Sequence, residues 1–214
     1  MTASDSPTQT SGATPTRRIA LALGGAMSLT EGWIAEAEAD ALLAALLAEL
    51  PWRQTTIRML GREVLEPRLT AYLGDPSAVY TYSGTLHVPA PWVAPLSALR
   101  ARLASELGLG FDSVLCNLYR DGRDSMGLHA DAEPELGPDP VLASISLGAA
   151  RRFVVVPRKK RDRSVDPGLD LALCHGSLLV MEAGMQRAYK HGVPKTSAPV
   201  GPRVNLTFRR VVAA

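Results

Sequence analysis

Beyond Gly110 the chain breaks into short apolar or alternating runs, and this limits the fold more than any other feature. Val141 to Leu147, Arg152 to Val156, Leu169 to Leu173, Ser177 to Met181 and Val204 to Val211 are each of strand length, and clusters of Gly, Pro and Asp divide them. Several short strands at such spacing predict an antiparallel sandwich or jelly roll. Two helices precede them. Glu36 to Leu50 is rich in Ala and Leu, with Leu42, Leu46 and Leu50 in one row, Leu43 and Leu47 beside it, and Pro51 as the stop. From about Pro91 to Leu107, leucines 96, 99, 103 and 107 recur at three and four, and Gly108 supplies a left-handed C-cap. The expected class is α+β, mainly β: a jelly roll with the helices packed on one sheet.

Residues 1–17, rich in Ser, Thr and Pro, read as a disordered leader, and residues 18–214 as one domain. Arg17-Arg18 before the apolar stretch Ile19 to Leu29 resembles a secretory signal only superficially. Sixteen residues precede the arginines, Gly24 and Gly25 interrupt the stretch, and no small-residue cleavage site follows. No segment is long and apolar enough to span a bilayer, so an intracellular protein is expected, cytoplasmic or, in a eukaryote, nuclear. Cys116 and Cys174 both sit in apolar runs and read as buried, reduced thiols. The net charge of +2 demands no polyanion, but its distribution is uneven. Residues 1–110 carry 8 Lys/Arg against 10 Asp/Glu, and residues 111–214 carry 15 against 11, so a polyanion would meet the second half.

The chemistry gathers in that half. His129-Ala130-Asp131 lies between the turn residues Asp121-Gly122-Arg123-Asp124 and an acid- and proline-rich stretch ending at Pro140, and is expected on an exposed loop beside strands. Two imidazoles and one carboxylate can cap three positions of an octahedral iron and leave three open. Spacing alone leaves His87, His175 and His191 all eligible as the third ligand. Arg203, Asn205, Thr207 and Arg209 share one face of an alternating segment whose other face is Val204, Leu206 and Phe208. That polar face either meets solvent or lines a barrel mouth, where two guanidiniums could hold the two ends of a dicarboxylate. Asn117 and Tyr119 also share a strand face and could donate to the same ligand.

Asn117 to Asp124, His129-x-Asp131-x-Glu133, Ser144-Ile145-Ser146-Leu147-Gly148, His175-Gly176-Ser177-Leu178-Leu179, His191-Gly192-Val193-Pro194 and Arg203 to Arg209 fall in one order over about a hundred residues. Together they closely resemble the AlkB family of Fe(II)/2-oxoglutarate dioxygenases. A looser likeness to its duplex-DNA-repair branch runs upstream through Tyr80-Thr81-Tyr82-Ser83-Gly84 to the first helix. The resemblance implies a double-stranded β-helix core over about 111–214, a nucleotide-recognition segment over about 52–90, and iron held by His129, Asp131 and His191. His175 then opens a structural strand instead. The co-substrate 2-oxoglutarate would chelate the iron, its distal carboxylate on Arg203 and Tyr119, with Arg209 and Asn117 nearer the metal-bound end and Asn205 in support.

The implied reaction is oxidative demethylation of N-alkylated bases such as 1-methyladenine and 3-methylcytosine in DNA, with release of formaldehyde and succinate. A base inside a duplex must be flipped out to reach buried iron. By the same match Tyr82 stacks on that base, Tyr80 and Glu133 border it, and Met59 and Leu60 form the tip of a finger filling the gap, with Arg68 among the substrate contacts. The branch carries an aromatic where Leu60 stands, and often another acid at Ala132. Arg158, Lys159 and Lys160 open a basic hairpin loop suited to phosphates. The expected partner is alkylated DNA, or RNA, with no membrane and no obligate protein partner. Three alternatives differ in class: a zinc hydrolase, a nucleic-acid-binding protein without catalysis, and a 2-oxoglutarate oxygenase acting on RNA, protein or a small molecule.

Overall fold

Alternation puts one apolar and one polar face on the segment Arg203–Arg209, and the fold buries both. The computed structural model describes residues 15–59, 62–82 and 85–212; at 57–59, 62, 80–82 and 85 it describes the backbone alone. Residues 1–14 of the expected leader therefore lie outside the described residues, and β1 (Thr16–Ala20) takes up the end of that stretch. There follow β2 (Ala26–Thr30), α1 (Glu36–Glu49), β3 (Thr56–Met59), β4 (Arg62–Leu65), β5 (Leu69–Gly74), β6 (Tyr80–Tyr82) and β7 (Thr85–His87). After α2 (Ala94–Leu107) come β8 (Ser113–Tyr119), β9 (Met126–His129), β10 (Leu142–Gly148), β11 (Arg151–Pro157), β12 (Leu169–Leu173) and β13 (Ser177–Met181). The single turn α3 (Met185–Ala188), then β14 (Tyr189–Val193) and β15 (Arg203–Arg209), complete the chain.

Among the described residues the strands form a seven-stranded sheet, β1-β2-β13-β10-β15-β8-β5, and a four-stranded sheet, β12-β11-β14-β9. Two separate hairpins, β3–β4 and β6–β7, stand outside both sheets. The two sheets face each other as a jelly roll, as expected, and α1 and α2 cover the outer face of the larger one.

The layers follow from side-chain alternation. Val204, Leu206 and Phe208 of β15, with Val114, Cys116 and Leu118 of β8, pack outward against Leu46 of α1 and Leu96, Leu99 and Leu103 of α2. A second apolar cluster, including Leu179, Met181, Phe153, Val155, Leu173 and Tyr189, closes the space between the sheets. Each such leucine or phenylalanine contributes roughly 1.5–3 kcal/mol by leaving water. The opposite faces of β15 and β8 are turned into the intersheet space, and this carries Arg203, Asn205, Asn117 and Tyr119 inside.

α2 begins at Ala94 rather than at Pro91. Pro95 occupies its first turn, where a missing N–H costs nothing, and Trp92 stays outside the helix to donate to Asp75 Oδ1 at 2.8 Å. Gly108 ends the helix in the left-handed conformation, φ +66°. Both cysteines are free thiols, but only Cys116 is buried, and burial pushes its thiol far up. Cys174 is half-buried at the turn after β12, because the apolar run there ends at Leu173. No helix among the described residues is long and apolar enough to cross a membrane.

Candidate metal and co-substrate site

β9 and β14 are neighbours in the smaller sheet, and their register sets His129 directly opposite His191. The pairing slips between His191 and Val193, where β9 carries one extra residue. Gly192 permits that close approach, since a Cβ there would lie 2.7 Å from the Met126 carbonyl oxygen and 3.0 Å from that of Gly127. The imidazoles consequently stand 4.3 Å apart, centroid to centroid. Asp131, two residues past β9, turns back between them. Its Oδ2 lies 3.3 Å from His191 Nε2 and 3.9 Å from His129 Nε2, so one ion could touch all three.

The expected exposed loop is exposed only in part. Asp131 is 2% accessible. Its N–H donates to Gln186 Oε1 on α3 at 3.0 Å, and its carboxylate is paired with Arg209 Nη2. Burial alone would raise the Asp131 carboxyl, but Arg209 and the two imidazoles outweigh it and hold the group far below the ordinary carboxylate range. Burial, helped by His191, pushes the His129 imidazole down to about 4, so it is neutral near pH 7. His129 Nδ1 lies 3.0 Å from the Gly127 carbonyl, which can only accept; the proton therefore sits on Nδ1 and the lone pair on Nε2. His191 Nδ1 is buried without a hydrogen-bond partner among the described residues, its ring 5.3 Å from that of Phe153.

A narrow cavity runs from this group to Arg203. Arg203 is among the most deeply buried side chains, and among the described residues it makes no ion pair. Its Nη2 donates to Ser146 Oγ at 2.9 Å, its guanidinium carbon lies 5.2 Å from the Tyr119 ring centre, and its Nε and Nη1 are buried without a hydrogen-bond partner among the described residues. Burial pulls the guanidinium down from its usual value. Two unpaired donors on a buried cation suit an incoming carboxylate. Asn205 Nδ2 donates to Ser144 Oγ at 2.7 Å and to the Ile145 carbonyl at 3.1 Å, which stiffens the wall between Arg203 and Arg209. Donor set and buried cation together fit a ferrous ion and a dicarboxylate. The polar face of β15 thus lines the interior rather than meeting solvent.

The other histidines stand apart from the metal group. His175 Nδ1 accepts the Gly148 N–H at 2.8 Å, and its Nε2 lies 3.3 Å from Asp40. His87 lines a second cavity, on the side of the group away from Arg203. Arg68 lines it too, but buried: its Nη2 pairs with Glu66 Oε1 at 2.6 Å, and its Nε donates to Asn117 Oδ1 at 2.8 Å. Tyr80 and Tyr82 stand on β6, their backbones opposite His87 and Thr85. Met59 ends β3 opposite Arg62, and Leu60 lies outside the described residues. Glu133 lines a third cavity, with Ala132, Gln186 and Arg187. Burial and the Asp131 charge push its carboxyl up.

Lys159 and Lys160 are exposed on the loop joining β11 to β12. Arg158, though exposed, turns back to donate from Nη1 to the Gln186 carbonyl at 3.0 Å. Gln186, Glu66 and Arg151 escaped sequence reasoning, since no periodicity marks them. Arg151 donates to the carbonyls of Asp121, Asp124 and Pro194 and so holds the loops on either side of Tyr119. Ser144 and Ser146 could have been found, because they alternate on β10 opposite Thr207 and Asn205.

A jelly roll with two imidazoles and a carboxylate at one end of its interior, and a buried guanidinium further in, defines a class of metal-dependent proteins that bind a carboxylate co-substrate. The model of the 2OG-Fe(II) oxygenase superfamily matches residues 26–209, and the chain belongs to that superfamily, in its AlkB family. It is 40% identical over 188 residues to the human alpha-ketoglutarate-dependent dioxygenase alkB homolog 3, covering 86% of this chain and 65% of that one. It is 37% identical over 183 residues to the mouse DNA oxidative demethylase ALKBH2, covering 83% and 77%. The chain thus spans just under two thirds of alkB homolog 3. In three dimensions it resembles OsALKBH1, with a TM-score of 0.60 at 20% identity, over 92% of this chain and 100% of that one.

Proposed function

We propose that this chain is an intracellular Fe(II)/2-oxoglutarate-dependent demethylase of N-alkylated bases, of the 1-methyladenine and 3-methylcytosine type, in DNA. The observation that carries the reading is the buried Arg203, two of its nitrogens unpartnered among the described residues, facing the same cavity as His129, Asp131 and His191. The relatives' names, a dioxygenase and a DNA oxidative demethylase, supply the substrate class.

In this reading His129, Asp131 and His191 hold the iron. Bound iron, with O2 and 2-oxoglutarate, supplies oxidation of the N-methyl group to a hydroxymethyl that leaves as formaldehyde, while the co-substrate becomes succinate and CO2. The chain's own contribution is positioning. Arg203 and Tyr119 hold the distal carboxylate, and Asn205 keeps Arg203 apart from Arg209. Arg209 and Asn117 border the metal-bound end, and Arg209 also neutralises Asp131, so that one face of the carboxylate is left for the ion. His129 needs no deprotonation to bind metal near neutral pH.

In this reading the second cavity, with Arg68 in its wall, receives the flipped base. By the family match Tyr82 stacks on that base, Tyr80 and Glu133 border it, and Met59 and Leu60 form the finger. Lys159 and Lys160, with the exposed part of Arg158, meet phosphates. The test is demethylation of single- and double-stranded oligonucleotides carrying 1-methyladenine, with Fe(II), 2-oxoglutarate and ascorbate, read by mass spectrometry. Loss of 14 mass units, about one methyl replaced by hydrogen, is expected. An unchanged oligonucleotide alongside slow succinate formation would discard the substrate class and keep the oxygenase.

A further inference from the structure

The second cavity holds a charged pair to which the demethylation chemistry gives no task. Glu66 and Arg68 flank Pro67 between β4 and β5 and are both almost fully buried. They line the cavity together with His87, His129 and Asp131. Arg68 is committed on both sides, to Glu66 Oε1 and to Asn117 Oδ1. Glu66 is not: among the described residues its Oε2 makes no hydrogen bond. Burying such a pair costs several kcal/mol per ion before their attraction returns it, and apolar residues of similar size often serve stability as well. A carboxylate oxygen left unbonded in a cavity wall beside a metal group is an acceptor waiting for a donor.

We infer that Glu66, held in place by Arg68, selects the substrate base by accepting a hydrogen bond from its exocyclic amino group. This rests on the demethylase reading above and narrows it. Glu133 borders the base in that reading but lines the neighbouring cavity, whereas Glu66 stands in the wall of this one, with His87 and the metal group. A carboxylate accepts and cannot donate. Adenine alkylated at N1 and cytosine alkylated at N3 carry an amino group next to the methylated nitrogen, and the added methyl leaves the ring cationic; both features suit Glu66. Thymine alkylated at N3 flanks that nitrogen with carbonyl oxygens, and guanine alkylated at N1 places O6 where adenine carries its amino group, its own amino group lying on the other side of the methyl; an oxygen facing a carboxylate is repelled. Arg68 keeps the Glu66 carboxylate turned toward the cavity and ties its position to Asn117.

The experiment compares four single-stranded oligonucleotides of one sequence, carrying 1-methyladenine, 3-methylcytosine, 3-methylthymine or 1-methylguanine, on the native protein and on Glu66→Gln. The glutamine keeps the volume and an oxygen for Arg68. Native protein should prefer the two amino bases, and the variant should lower kcat/KM on them about tenfold, mostly through KM. On the oxo bases the variant should hold steady or gain. An anisotropy titration of the labelled 1-methyladenine strand without added metal should show the same loss. Should Glu66→Gln fold poorly, Glu66→Leu combined with Arg68→Leu removes the pair as a unit and should abolish the preference equally. Equal losses on all four bases, or none, would overturn the role of Glu66. If the native protein demethylates none of them, the underlying reading fails first, and unchanged native binding across the four strands would show the selection absent as well.

Discussion

The two cavities that meet at Asp131 are built in opposite ways. The one toward Arg203 takes its polar lining from alternate positions of β8, β10 and β15, three adjacent strands at the centre of the larger sheet, whose other faces are sealed by α1 and α2. The one toward His87 draws Glu66 and Arg68 from a connecting segment and His87 from a hairpin outside both sheets, and the rest of its wall from β5, β8, β9 and β15 and the Asp131 loop. A co-substrate that never changes can be read by side chains fixed in a packed core. A base arriving on a nucleic acid needs a wall able to admit it, and hairpins supply that. Either side of this division, or the metal group between them, can be broken separately.

Asp131→Ala removes the group both cavities share, and its effect should be the largest. Turnover and uncoupled succinate formation should both vanish, and bound iron, measured by elemental analysis, should fall with them; near-normal activity would break the metal assignment. Arg203→Met comes next and should be confined to the deep side. The KM for 2-oxoglutarate should rise about a hundredfold through loss of charge-assisted bonds, with oligonucleotide affinity unchanged. A comparable loss of oligonucleotide affinity would mean the cavities are not separate. Gly192→Ala forces a Cβ toward the Met126 carbonyl oxygen and should spread His129 from His191. Iron affinity should drop about tenfold, and stability by roughly 1–3 kcal/mol in a melting experiment.

Legibility follows the same division. The strands after Gly110 and the Gly108 cap could be read because period-two alternation and a left-handed glycine are local facts. The polar face of β15 was visible as a face, but not its direction. Only pairing with β8 and β10 turns it inward. Among the histidines, spacing left three candidates for a partner to His129, and a long-range register between β9 and β14 decided which stands opposite it. Glu66 and Gln186 lay beyond reach for a further reason. One flanks a proline in a connection and the other sits in a single helical turn, so neither belongs to a periodic pattern, and both matter through contacts with residues far away in sequence.

A smaller effect concerns the shared group without its metal. Burial lowers the His129 imidazole from 6.5 to about 4, so between those values the unfolded chain binds a proton that the folded chain refuses. Stability is then lost as pH falls through that window, and the low Asp131 carboxyl adds no loss until lower pH. The melting temperature of protein stripped with chelator should fall by about 5 °C between pH 7 and pH 4.5, and Fe(II) at neutral pH should raise it. His129→Gln should flatten the curve in that range; an equally steep variant would place the titrating group elsewhere.

The smallest effect belongs to the outermost residues. Lys159 and Lys160 are exposed and sit beyond both cavities, so any contact they make is with phosphate rather than with base or co-substrate. Replacing both by alanine should weaken oligonucleotide binding only a few fold at moderate salt, equally for methylated and unmethylated strands. It should also reduce the slope of log affinity against log salt by about 1 to 2. Arg158 behaves differently because its guanidinium is already bonded to the Gln186 carbonyl, and the Gln186 side chain in turn receives the Asp131 N–H. Arg158→Ala should therefore lower iron affinity slightly as well as DNA affinity. If it matches the lysine variants in every respect, the basic loop and the metal group are independent, and the division between reading surface and chemical core is complete.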